Sequence, residues 1–204
     1  MITRDYKGTK LSALGMGNMR LPIKHGGSDG DIDFDRGREI IDKAMAEGVN
    51  YYDTAYVYHS GKSEGFLKEV LVKRYPRDSF ILTDKLSDSL FNSEDEIRPL
   101  FEKQLESCGV DYFDFYLLHS QTKSIFEKYK KLHAYEHAFE LKKEGKVKHV
   151  GFSFHSTPEE LEEILKAHPE MEFVQLQINY ADWENPAIQS RRCYEVARKY
   201  GKPV

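Results

Sequence analysis

The sequence predicts an α/β protein built on a parallel sheet, and three observations carry that reading. Strand-like and helix-like segments alternate with a repeat of roughly 30 residues, about the size of a βα unit. The connections between them are short, which favours parallel strands joined by crossover helices. Finally, Asp53, Tyr58, Lys85 and His119 each sit at or just past the end of a short apolar segment. In a barrel of parallel strands the C-terminal ends open on one face, so residues distant in sequence meet there. An acid, a phenol, an amine and an imidazole at successive strand ends suggest a proton-transfer site.

Taken in order, a first extended stretch covers Lys10 to Leu21. A helix follows from about Phe34 to Glu47, with Ile40, Ile41, Ala44 and Met45 on one face and Gly48 as its C-terminal stop. Asn50–Asp53 is a strand, and the helix after it carries Phe66, Leu67, Val70 and Leu71 on one side. Phe80–Lys85 is the next strand. Ser93 and Glu96 form a capping box for a helix with the stripe Ile97, Leu100, Phe101, Leu105 and Cys108; Pro99 implies a kink or a later start. After the strand Phe113–His119 comes a weaker helix, about Ile125 to Lys143, ended by Gly145. Val147–Phe154 is a fifth strand. Thr157-Pro158-Glu159-Glu160 opens a helix with an N-cap and a proline at its first position, and Leu161, Ile164 and Leu165 face inward. Phe173–Tyr180 is a sixth strand and Ala187–Tyr200 a sixth helix, capped by Gly201. Lys202-Pro203-Val204 reads as the start of a further strand.

Two architectures suit this pattern, the doubly wound sheet and the closed (β/α)8 barrel. Gly15-Met16-Gly17 supplies only the first pair of a dinucleotide-binding glycine fingerprint, and no helix follows it directly. That weakens the doubly wound reading. Against a barrel's eight units, the chain supplies about six.

Bulk properties exclude several classes. The 204 residues, 40% hydrophobic, suffice for one substantial core. With 31% charged residues and a formal net charge of −4, nothing suggests a nucleic-acid or anionic-membrane partner. The two cysteines, Cys108 and Cys193, fall on helical patterns among apolar neighbours, which fits reduced thiols in a cytoplasmic protein. The first residues show no apolar run of a signal peptide, and no stretch approaches the ~20 apolar residues that span a bilayer.

Gly15-Met-Gly-Asn-Met-Arg-Leu-Pro22, Asp53-Thr-Ala-x-x-Tyr58 with Glu64 shortly after, Thr83-Asp84-Lys85, Leu117-Leu118-His119 and Gly151-Phe152-Ser153 together resemble the aldo-keto reductases. Each motif alone is weak; the ordered set, spread over nearly the whole chain, is specific. The flavour is similar to bacterial members that often carry a C-terminal iron–sulfur extension, but this chain has no cysteine cluster. The resemblance implies one barrel domain over residues 1–204, interrupted at the start of its seventh strand. It implies reduction of a small-molecule carbonyl with NADPH and no metal. It implies Tyr58 as general acid, Lys85 and Asp53 as its supporting pair, and His119 orienting the carbonyl. Gly17, Asn18, Met19, Asp53, Ser153, His155 and Gln177 would contact the cofactor; His155 stands where the family often has Asn.

The chemistry is coherent with that set. A carbonyl that accepts a hydride builds negative charge on oxygen, and a positioned acid must share a proton with it. A free tyrosine titrates near ~10, and a nearby ammonium is expected to lower that value. Each residue has a plainer reading. Tyr58 could be a packing tyrosine, Lys85 a snorkelling lysine, Asp53 a helix cap and His119 a core histidine. The conjunction at strand ends outweighs these, with Tyr56 a rival phenol read as pocket wall. His133 and His137, four apart on a helix, read as a solvated face rather than a metal pair. Trp183 lines the substrate mouth or packs in its loop. Gly26-Gly27-Ser28-Asp29-Gly30 reads as a flexible connector. A non-catalytic nicotinamide-binding redox sensor on the same scaffold, or an inactive barrel fragment, are the competing functions. The substrate, the choice of NADP over NAD and the oligomeric state are not legible.

Overall fold

A computed structural model describes residues 1–204. The chain divides into two compact units, Met1–Lys85 with Pro99–Phe115, and Leu86–Arg98 with Tyr116–Val204. In the six-stranded sheet every neighbour is also the next strand in sequence. A doubly wound sheet would reverse its order at a switch point, so the alternation resolves in favour of barrel-type winding.

The first unit opens with an antiparallel hairpin, β1 (Thr3–Tyr6) and β2 (Thr9–Ser12). The sequence reading had one extended stretch there; Lys7 and Gly8, both at positive φ, turn the chain back instead. Asn50 fastens the hairpin to the sheet, its Oδ1 accepting from Ser12 N–H at 2.8 Å and its Nδ2 donating to Lys10 O at 2.9 Å. β3 (Gly15–Gly17) pairs in parallel with β4 (Tyr51–Asp53), and β4 with β5 (Ile81–Leu86). Helix α1 (Phe34–Ala46) lies where its apolar stripe placed it, with Asp33 as N-cap and Gly48 at φ +81° just past its end. Gly37 lets α1 approach Phe66, because a Cβ there would stand 2.6 Å from that ring.

The expected second helix is broken into a short α2 (Ser63–Leu67) and one π turn over Lys68–Val72; Phe66, Leu67, Val70 and Leu71 are nonetheless all buried, as their spacing required. α3 (Ile97–Cys108) carries Phe101, Leu105 and Cys108 inward. Pro99 lies in its first turn, where a missing N–H costs nothing. The Ser93 side chain makes no cap, contrary to the capping-box reading; Glu96 reaches back to Asn92 N–H at 2.6 Å.

β6 (Phe113–Gln121) is shared between the units. In the second unit β7 (Val147–Phe154) pairs in parallel with β8 (Val174–Leu176), with Ser153 opposite Gln175. Gly151 permits that approach, since a Cβ would meet the Phe173 carbonyl oxygen at 2.6 Å. The helix expected over 125–143 is two, α4 (Lys123–Lys131) and α5 (Ala134–Lys143), because His133 adopts a left-handed conformation with φ 53°. α6 (Pro158–Ala167) starts from its Thr157 cap as read. β8 is shorter than the strand expected through Tyr180. Asn179 and Asn185 accept from Ala181 and Ala187 N–H, both at 2.8 Å, and these side-chain turns compete with further strand. α7 (Ser190–Lys199) therefore begins three residues later than its apolar pattern implied. Val174 N–H donates to Pro203 O at 3.0 Å, which lays the last residues along β8. No helix is long and apolar enough to cross a membrane. Cys108 and Cys193 are both buried and unbridged.

Candidate active site

Beyond Asp53 the chain leaves β4 and makes a turn that returns Tyr58 toward β5. Tyr58 N–H donates to Ala55 O at 3.0 Å, and His59 and Ser60 take left-handed conformations with φ 51° and 55°. His59 pins this turn. It is 3% exposed, accepts from Leu21 N–H at Nε2 (2.9 Å) and donates from Nδ1 to Asp29 O (2.7 Å). The Gly26–Gly30 segment, expected as a flexible connector, is thereby tied down. His59 was missed by sequence reasoning, and its place beside Tyr58 was the only available signal.

The turn brings three of the four candidate residues together. Lys85 is 1% exposed, and its Nζ lies 2.5 Å from Asp53 Oδ1 and 2.7 Å from Thr54 O. The ammonium also lies 4.8 Å from the centre of the Tyr58 ring. Tyr56 pairs instead with Lys103, whose Nζ is 5.2 Å from its ring centre. Burial pulls the Lys85 pKa down, but Asp53 and then Tyr58 outweigh it, and the net shift is upward. For Tyr58 burial is the largest influence and raises the pKa; Lys85 opposes it and Asp53 adds to it. Lys85 lowers the value as expected, but the net shift is upward and the phenol is held above its usual value. The lysine's pull is real but smaller than desolvation.

Asn18 is fully buried, and both its backbone N–H and its Nδ2 donate to Asp53 O at 2.9 Å. Its carbonyl accepts from Ser63 Oγ at 3.1 Å, which in turn meets Thr54 Oγ1 at 2.8 Å. Asn18 thus fixes the backbone from which Asp53 projects. Gly17 ends β3 with open space where a Cβ would stand, and Met19 is 53% exposed.

The second unit holds the other candidates. His119, near the end of β6, has Nδ1 2.6 Å from the hydroxyl of Ser87, a buried residue that sequence reasoning also missed. Ser153 is buried and accepts from Ser120 N–H at 2.7 Å, which leaves its own hydroxyl hydrogen to donate. Gln177 lies one residue past β8 rather than on it, and is exposed. Extending the Phe154–Leu176 register by one residue sets His155 beside Gln177. Both line a cavity of about 290 Å³ with Phe154, Leu176 and Ser190. A hydroxyl donor and a side-chain amide at adjacent strand ends match the hydrogen-bonding needs of a carboxamide, so these residues fit a nicotinamide. Trp183 packs on Tyr194 with ring centres 5.8 Å apart. His137 Nε2 meets Glu94 Oε1 at 3.1 Å, so the two helix histidines face a carboxylate that their spacing alone did not disclose.

Sequence and structure together define an α/β chain of parallel strands in which a buried lysine, Lys85, meets the half-buried Asp53 and Tyr58 near the strand ends. Residues 13–204 match the Aldo/keto reductase family, and the chain belongs to that family. It is 27% identical over 188 residues to the probable aldo-keto reductase 1 of Glycine max, covering 87% of this chain and 50% of that protein. It is 30% identical over 166 residues to the NADH-specific methylglyoxal reductase of Escherichia coli, covering 69% and 48%. The crystal structure of an aldo-keto reductase from Klebsiella pneumoniae in complex with NADPH superposes with a TM-score of 0.73 at 20% identity, covering 100% of this chain and 67% of that one. The chain spans about half the length of these curated relatives. The shared fold is the family's (β/α)8 barrel, of which this chain supplies a six-stranded parallel part.

Proposed function

We propose that these residues form the catalytic part of a reductase that converts an aldehyde or ketone to an alcohol, with NADPH as reductant. The observation that carries this reading is the buried Lys85 ammonium held at Asp53 Oδ1 with the Tyr58 ring centre 4.8 Å away. A fully desolvated ammonium 2.5 Å from a carboxylate is a costly feature unless it serves the phenol beside it.

In this reading Tyr58 gives its proton to the carbonyl oxygen as negative charge develops there. Lys85 then stabilises the phenolate, and Asp53 keeps the ammonium charged and aimed. The Ser87 hydroxyl, 2.6 Å from His119 Nδ1, orients the His119 ring that would polarise the carbonyl. Ser153, His155 and Gln177 would hold the carboxamide of the nicotinamide, and Gly17, Asn18, Met19 and Asp53 would contact the cofactor. The reduced nicotinamide, when bound, supplies the hydride. NADPH is favoured by the solved Klebsiella relative; the Escherichia coli relative is named NADH-specific, so both cofactors belong in the assay. Two buried, unbridged thiols suit a cytoplasmic setting.

The test is oxidation of NADPH and NADH with a panel of aldehydes, in wild type and Tyr58→Phe. The variant should lose about 10²–10⁴-fold in kcat while its NADPH affinity, read by nucleotide fluorescence, changes little. Cofactor binding without any turnover by wild type would favour the redox-sensor reading. Near-normal turnover in Tyr58→Phe would refute the assigned acid.

A further inference from the structure

We infer that Gln104, on the buried face of α3, is a positioning residue that holds the Lys85 ammonium in place through the Lys85 backbone. The inference rests on the reductase reading for its catalytic consequence, and on geometry alone for the rest.

β5 bonds to β4 at alternate residues. Ile81 N–H donates to Asn50 O at 2.6 Å, and Thr83 O accepts from Thr54 N–H at 2.9 Å. Lys85 is next in that alternation, so its N–H and C=O face the same flank. There β4 has already ended, with Asp53 opposite Thr83, and the chain has turned away to carry Tyr58. The loop that delivers the phenol therefore removes the ladder partner of the lysine. Buried backbone groups cannot be left unmet without cost, and two side chains stand in. Asp84 Oδ1 accepts from Lys85 N–H at 2.8 Å, and Gln104 Nε2 donates to Lys85 O at 2.9 Å.

Gln104 has 0% exposure, and the same nitrogen lies 3.5 Å from Glu64 Oε1, so the orientation of its amide is set from α2 as well. Asp84 is itself steadied by the Cys108 thiol, which donates to its Oδ2 at 3.7 Å. The polar groups beneath Lys85 thus come from three elements and converge on one residue. The lysine stem is buried along its length, and its Nζ is fixed at two acceptors, so it has little slack. A shift of the backbone passes to the ammonium, and a misplacement of about 1 Å in such a site can cost ~10²-fold in rate.

The experiment is a ¹³Cε-lysine NMR titration of Lys85 in the 204-residue chain, with turnover measured in parallel. Gln104→Met keeps the length and removes the donor. It should lower the Lys85 pKa by about one unit and cut kcat by ~10–10²-fold with KM for NADPH within about twofold. Gln104→Glu, protonated by burial, restores a donor to the Lys85 carbonyl and should bring both values back toward wild type. Leu105→Ala removes a neighbouring buried side chain and should leave the Lys85 pKa where it was. If Gln104→Met does not fold, Gln104→Asn, which withdraws the donor by one methylene, takes its place. An unmoved Lys85 pKa in the donor-less variant, or an equal shift in Leu105→Ala, overturns the positioning role. A shifted pKa in a protein whose wild type reduces no carbonyl supports positioning and removes the reductase reading instead.

Discussion

Replacing Asp53 with asparagine tests whether the buried cluster is an electrostatic unit or merely well packed. The change keeps the shape of the side chain and one acceptor for Lys85, and removes only the charge. Lys85 is 1% exposed and Asp53 13%, so water does little to compensate. Breaking a buried pair by removing one partner costs ~3–5 kcal/mol. The new amide would still accept a hydrogen bond, and Thr54 O remains 2.7 Å away, so the lower end, about 3 kcal/mol, is expected. The pH dependence carries the sharper signature. In wild type the Lys85 pKa is raised above its ordinary 10.5, with burial overcome by Asp53. Its contribution to stability is fully present below the unfolded value and is lost as pH rises through the folded one. Without the Asp53 charge, burial wins and the pKa falls below 10.5, so the folded variant sheds the proton first. The stability gap between the proteins should be widest at about pH 7 and narrower at about pH 10.5. Urea unfolding followed by far-UV circular dichroism at both values measures it. A gap below about 0.5 kcal/mol at neutral pH, or one that does not narrow, would refute the reasoning.

Two further perturbations address the surroundings. The Glu64 pKa is raised by burial and by the adjacent Asp84, so the folded state keeps a proton that the unfolded state loses above its ordinary value of 4.5; stability should fall as pH rises from about 5 to 8, by at most ~1.4 kcal/mol per unit from this group, and Glu64→Gln should flatten that slope in urea titrations at three pH values. Identical slopes in the two proteins would count against a protonated Glu64. Gly151→Ala would set a methyl 2.6 Å from the Phe173 carbonyl oxygen, a backbone atom that cannot swing aside; a loss of about 1–3 kcal/mol is expected, and a variant with an unchanged thermal midpoint would show that β7 and β8 have room to part.

How much of this was legible depended on the range of the forces involved. α1 and α6 were readable because their end signals and apolar stripes are local: Gly48 stops the first and Thr157 opens the second. The break at His133 was not, since nothing in Lys-Lys-Leu-His-Ala marks a left-handed residue. The strand through Phe173–Tyr180 was overextended for a related reason. Ile178 and Tyr180 kept the alternation going, but Asn179 takes a backbone N–H for its own turn. In the site, Asp53, Tyr58 and Lys85 could be named from strand ends and family motifs. His59, Ser87 and Gln104 could not, because each acts through a hydrogen bond to a residue 19 to 38 positions away.

The direction of the Tyr58 shift changes how the proposed proton transfer should be understood. A lysine that lowered the phenol's pKa would leave a fraction of phenolate in the resting enzyme, which cannot donate. Here burial and Asp53 hold Tyr58 above its usual value while Asp53 holds Lys85 charged, so at neutral pH the resting pair is a neutral phenol beside an ammonium. That state is fully loaded for donation. The work of Lys85 then falls after the proton has left, when a phenolate lies against a cation that is already desolvated and aimed and needs no reorganisation. Asp53 acts on both sides of this step. It raises the pKa of each partner, so it keeps the donor protonated and the stabiliser charged over the same range of pH. Activity should therefore be flat through neutrality and fall only on the alkaline side, and Asp53→Asn should move that fall toward neutral pH by lowering both values together. A pH–rate profile whose alkaline limb stays in place in that variant would mean that another group, outside the Asp53–Lys85–Tyr58 set, controls the proton.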